Sequence, residues 1–177
     1  INELNAIAAK AGVVTATLAA ASLTDLGSLN TAGTDLITVS VNDSAGDTLT
    51  SANLAALGAK TAGVVTVEEA VIITGSVSDI TAALVTEASL VVASNAVVNI
   101  TGTPSINELN AIAAKTDGVV TATLAAASLT ALGSLNTEGT DLITVSVNDS
   151  GGDALTSANL AALGAKTAGV VTVAEAV

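Results

Sequence analysis

The chain has 177 residues and a formal net charge of −12, from 16 acidic residues against 4 lysines. With so few cations it is not expected to bind nucleic acid or anionic lipid, and no apolar run approaches the roughly 18 residues of a membrane helix. It has no Phe, Tyr, Trp, Met, Cys or His, so its core must be Ala, Val, Leu and Ile, and no Ser–His or Cys–His nucleophile pair can form.

Residues 1–10, INELNAIAAK, open with a helix. VVTATL (13–18) follows as a strand, with Val14, Ala16 and Leu18 inward and Thr15 and Thr17 outward. Ser22 or Thr24 can cap a short helix before the strand LITVSV (36–41). The turn NDSAGD (42–47) leads to a helix capped by Thr50 and carrying Leu54 and Leu57. A long strand is expected from Val64 (VVTVEEAVIITG), then a helix capped by Ser76 or Ser78, then a second long strand from Val91 (VVASNAVVNITG). Ser105 and Glu108 form a capping box ahead of Leu109 and Ile112. VVTATL, LITVSV and VVTV then recur from Val119, Leu142 and Val170. Lys10, Lys60, Lys115 and Lys166 fall in the last turns of helices, where a cation suits the negative end of the dipole. Gly12, Gly63, Gly118 and Gly169 follow as left-handed exits.

The repetition is the main signal. Residues 106–115 repeat 1–10 without change, and 119–177 repeat 13–71 with few changes; Thr116 and Asp117 stand where the first copy has Ala11 alone. A weaker half-repeat relates TSANLAALGAKTAGVVT (50–66) to SINELNAIAAKTDGVVT (105–121). Each half holds two strand-and-helix units of about 23–28 residues, the size of a solenoid rung. The expected fold is α/β: one continuous solenoid over 1–177, with the long repeat spanning 1–105 and an incomplete second copy 106–177. Its parallel strands would form one sheet, with short helices on the opposite side. An all-β solenoid is the alternative.

Glu68 and Glu69 are adjacent on a predicted strand and should point to opposite faces, so they make a poor catalytic pair. The chain is expected not to be an enzyme. The turns NDSAGD and NDSGGD (148–153) cluster carboxylates around glycine. Calcium takes about six to eight oxygens from flexible loops, and Asp43, Asp47, Asp149 and Asp153 are the ligands such loops would offer. A solvated turn is the plainer alternative. No other cofactor is expected. Thr15, Thr17, Thr38, Ser40, Thr121, Thr123, Thr144 and Ser146 would line one sheet face as a hydroxyl ladder of the kind ice-binding solenoids use, interrupted by Glu68, Ala93 and Asn95.

The phrases LNAIAAKTDGVVTATL, LAALGAKTAGVVTV and VVNITGT resemble the Ala/Thr/Val-rich tandem repeats of large secreted bacterial surface proteins, particularly cyanobacterial ones. The resemblance covers the whole chain. It implies export, a cell-surface or matrix location, and a structural or adhesive role. The expected function is a structural or adhesive repeat of an extracellular surface protein, filament or matrix, with a calcium-dependent or ice-binding ligand module as the alternative. Ile1 aligns with Ile106, just inside a capped helix, and Val177 with Val71, inside a predicted strand. The expected partners are therefore further repeats of the same chain, or other copies stacked end to end.

Overall fold

Hydroxyl side chains set where the helices start. In the computed structural model, which describes residues 1–86, 90–149 and 155–174, six Ser and Thr side chains each accept a hydrogen bond from the backbone N–H three residues on. Ser22 opens α2 (Leu23–Leu26), Thr50 opens α3 (Ser51–Gly58) and Ser76 opens α4 (Val77–Ile80). Ser105 opens α5 (Ile106–Ala113), Ser128 opens α6 (Leu129–Leu132) and Thr156 opens α7 (Ser157–Gly164). Each hydroxyl satisfies one of the donors a first turn leaves unpaired. Helix α1 (Asn2–Ala8) shares its sequence with α5 but begins at Ile1 with no side-chain cap. Helix α4 runs on into a π-helical turn, Thr81–Val85.

Between the helices lie β1 (Thr15–Thr17), β2 (Leu36–Val41), β3 (Thr48–Thr50), β4 (Val65–Val67) and β5 (Ile72–Ser76). They are followed by β6 (Val91–Val92), β7 (Val97–Thr101), β8 (Val120–Thr123), β9 (Leu142–Val147) and β10 (Val171–Val173). Every pairing among the described residues is parallel, so the architecture is α/β. The strands form two sheets, however, and not the expected single one: a four-stranded sheet in the order β1-β2-β4-β6 and a six-stranded sheet in the order β10-β9-β8-β7-β5-β3. The cause lies in the two long strands expected from Val64 and Val91, because each is broken by a turn. Residues 68–70 are exposed and the Val71 N–H closes on the Glu69 carbonyl. Similarly, the Ala96 N–H closes on the Ala93 carbonyl around exposed Ser94 and Asn95. Glu and Asn are depleted in strands, and Ser and Asn favour turns. The first piece of each broken strand (β4, β6) stays in the first sheet, and the second piece (β5, β7) joins the other. Among the described residues, β8, β9 and β10 continue the second sheet.

The pairing register repeats with the sequence. Thr15 faces Leu36 as Thr121 faces Leu142, and Val39 faces Val65 as Val145 faces Val171. Val39, Val65, Leu54, Leu57, Leu109 and Ile112 are buried, as alternation and helical spacing require. Val14 is only half-buried, because β1 lies at the end of its sheet. Leu54 and Leu160 hold the same place in α3 and α7; the first is buried and the second half-buried.

The glycines and lysines after the helices act differently from the expectation. The positive-φ glycines among the described residues are Gly46 and Gly102, at 86° and 93°. Gly63, Gly118 and Gly169 are instead sites of close approach: a Cβ on them would lie 2.3, 2.2 and 2.4 Å from the carbonyl oxygens of Ile37, Ala96 and Ile143. The lysines lie beyond the helix ends, one residue past C-caps Ala9, Ala59, Ala114 and Ala165. Two of them serve a different helix from their own. The Lys60 ammonium donates to the Gly27 carbonyl at 2.7 Å and that of Lys166 to Gly133 at 2.6 Å, at the C-caps of α2 and α6. The electrostatic logic of a cation at a helix C-terminus holds, applied between neighbours.

Candidate functional site

The polar side chains with the most defined geometry join one strand-and-helix unit to the next. The buried Thr61 hydroxyl accepts from the Ile37 N–H at 2.8 Å and lies 2.7 and 2.9 Å from the Ile37 and Asp35 carbonyls, to one of which it donates. It also accepts from the Gly63 N–H at 2.8 Å. Thr167 repeats this on Ile143 and Asp141. Thr116 donates to the Ala96 carbonyl at 2.5 Å and accepts from the Gly118 N–H at 3.0 Å. Thr, one residue and Gly thus form a clamp: the hydroxyl binds the backbone of the preceding unit, and the glycine lets the chains meet. The first copy has Ala11 before Gly12 and lacks the hydroxyl.

Asp35 and Asp141, both buried, join the same seams. Asp35 accepts from the Val14 and Ala32 N–H groups, each at 2.8 Å; Asp141 accepts from those of Val120 and Glu138, at 2.8 and 2.9 Å. Asn5 accepts from the Asn30 N–H and donates to the Ser28 carbonyl, and Asn110 does the same at Asn136 and Ser134. Sequence reading missed these residues. The signal was the motif K-T-x-G, read for its lysine and glycine and not for the threonine between them.

The proposed calcium ligands have backbone partners. Asp43 accepts from the Leu23 N–H at 2.7 Å and so caps α2 from outside, and Asp149 does the same for Leu129 at 3.0 Å. Asp47 accepts from the Ser44 N–H at 2.9 Å and closes its own turn. Asp43 and Asp47 share a cavity of about 260 Å³ with Thr24, Thr50 and Asn53. The equivalent cleft between α6 and α7, about 710 Å³, has Asp149, Thr130, Asn159 and Lys166 on its walls. Asp153 lies outside the described residues. Among the described residues no three acidic side chains converge as metal ligands. Glu68 and Glu69 are both exposed in the turn after β4, and Glu68 accepts a hydrogen bond from the Ser40 hydroxyl.

None of the expected hydroxyl-ladder positions is buried. Thr17 pairs with Thr38 and Ser40 with Thr66; Thr74 pairs with Asn99, Asn99 with Thr121, Thr123 with Thr144 and Ser146 with Thr172. The ladder is interrupted by Leu36, Val92 and Leu142, each roughly half exposed. Ala93, expected on this face, is buried, because the chain turns after β6. No helix among the described residues is long and apolar enough to cross a membrane. No family model matches the chain, and neither a curated protein nor a solved structure matches it.

Proposed function

We propose that the chain is a length of strand-and-helix solenoid, about seven rungs long, serving as a structural or adhesive repeat of an extracellular surface protein, filament or matrix. The observation that carries this reading is the clamp. The side chains with buried, multiply satisfied polar groups (Thr61, Thr167, Asp35, Asp141) bind the backbone of the neighbouring rung, in the same way in both copies. The chemistry of the molecule is thus directed at its own stacking. A chain of rungs transmits load along its axis through parallel ladders, and each added rung buries more aliphatic surface. Its partners in this reading are further repeats of the same chain or copies stacked end to end. Antibodies against this chain should label intact, unpermeabilised cells that make it. Labelling only after permeabilisation would contradict the reading.

A ligand-binding role is the second reading, favoured by the uncharged columns Thr74–Asn99–Thr121, half-buried, and Thr123–Thr144, exposed, whose hydroxyls have no hydrogen-bond partner among the described residues. Thermal hysteresis at the ice–water boundary, lost on Thr123→Lys, would support an ice-binding face. Freezing behaviour no different from that of an inert protein would remove it.

A further inference from the structure

The first sheet ends inside the molecule. Among the described residues, strand β6 pairs with β4 alone, because the next strand-and-helix unit places β8 on β7. The far edge of β6 is therefore left open at the step between the two sheets, away from both ends of the chain. Beside it runs a groove of about 250 Å³ whose walls include Val64, Leu84, Val85, Leu90, Val92 and Lys115. Val64, Leu90 and Val92 are each about 40–46% exposed.

Two observations mark this groove as more than a packing gap. The first is backbone strain. Leu90 has φ 48°, a conformation that glycine adopts freely and a bulky side chain adopts at a cost. The chain reaches it shortly after the π-helical turn Thr81–Val85, an irregularity frequent at functional sites. A leucine held at that cost places an apolar side chain on the groove wall. The second is charge. Lys60 and Lys166 bind carbonyls of the preceding helix, whereas the Lys115 ammonium, at the matching place after α5, has no hydrogen bond or ion pair among the described residues. In a chain of net charge −12, this exposed cation borders an apolar groove.

We propose that the groove binds the alkyl chain of a small aliphatic monocarboxylate, with the carboxylate paired to Lys115. An apolar cavity of about 150 Å³ accommodates benzene, so this groove suits a chain of about eight carbons. The open edge of β6 and the side chains of Val64, Leu90 and Val92 cover the tail, and Lys115 supplies the complementary charge. The inference is independent of the array reading, and its failure would leave that reading untouched.

The test is a titration of the isotopically labelled protein with octanoate, followed by NMR. Saturable shifts are expected at Val64, Leu90, Val92 and Lys115. Lys115→Gln should weaken octanoate about fivefold, as loss of an exposed ion pair does, and leave 1-octanol binding unchanged. Val92→Asp, at a position the solvent already reaches, should remove both while the remaining spectrum stays folded. Absence of saturable shifts, octylammonium binding as tightly as octanoate, or unchanged octanoate affinity in Lys115→Gln would each overturn the proposal.

Discussion

A Cβ placed on Gly118 would lie 2.2 Å from the Ala96 carbonyl oxygen, whereas one placed on Gly12, the same position in the first copy, would touch nothing within 4 Å. One sequence position thus carries opposite constraints in its two occurrences. Gly118→Ala should destabilise the fold by about 2–3 kcal/mol, as overpacking a close backbone contact does. Gly12→Ala should be neutral or stabilise by up to about 1 kcal/mol by restricting the unfolded chain. Urea midpoints of the two variants decide this, and equal losses would contradict the stacking geometry.

The Thr61 clamp makes a second comparison. Thr61→Val keeps the shape but strands the Ile37 N–H, which the hydroxyl binds at 2.8 Å. A buried donor left without a partner costs about 1–3 kcal/mol. Thr61→Ser retains the hydroxyl and should recover most of that loss. Calorimetric melting of the three proteins should rank them wild type, Ser, Val; a valine variant as stable as wild type would show that the hydroxyl contributes nothing.

The capping box on α5 gives a pH signature. The Ser105 hydroxyl, and after it the Ser105 N–H, donate to the Glu108 carboxylate and hold its pKa below the ordinary glutamate value. A carboxyl depressed in the folded state contributes stability above its unfolded pKa and loses it as pH falls through the folded one. Glu108→Gln should therefore melt lower than wild type at neutral pH, and the gap should close as pH drops below about 4. Glu3→Gln, in the same sequence without a capping serine, is the control. A Glu108→Gln deficit that persists unchanged at low pH would refute the assignment.

Asp43 tests calcium against capping. Because its carboxylate accepts from the Leu23 N–H, Asp43→Ala should lower stability by about 1 kcal/mol even in chelator. If the turn also holds calcium, millimolar calcium should raise the wild-type Tm and leave the variant's unchanged. A variant indistinguishable from wild type in chelator would mean that the carboxylate is not a cap.

Much of the local structure was legible in the residues. Ser105 and Glu108 announce the capping box, Thr50 and Ser22 the other helix starts, and the alternation in LITVSV both strands that carry it. The division into two sheets was not. VVTVEEAVIITG and VVASNAVVNITG read as single strands by their β-branched residues, and only the pairing of β5 with β3 and β7 shows that each is two strands in different sheets. Propensity reports what a segment can form alone, while sheet membership depends on which neighbour it meets. The glycines were misread for a related reason: absence of a Cβ permits either a left-handed turn or a close contact, and Ile37, Ala96 and Ile143 decide which. Of the candidate site, Asp43 and Asp149 were found, but their role as external helix caps depends on Leu23 and Leu129, some twenty residues away in sequence.

The parallel stacking of successive units can be tested directly, because the chain contains no cysteine and any disulfide is an introduced one. Thr17 and Thr38 face each other on adjacent strands β1 and β2, as Thr123 and Thr144 do on β8 and β9. Neighbouring strands lie about 4.8 Å apart, within reach of a disulfide. The double substitutions Thr17→Cys/Thr38→Cys and Thr123→Cys/Thr144→Cys should each oxidise to near completion in the folded protein, detected by loss of free thiol. The out-of-register pairs Thr15→Cys/Thr38→Cys and Thr121→Cys/Thr144→Cys should oxidise slowly. Equal oxidation of matched and mismatched pairs, or failure of the matched pair in either copy, would contradict the repeated parallel register on which the account rests.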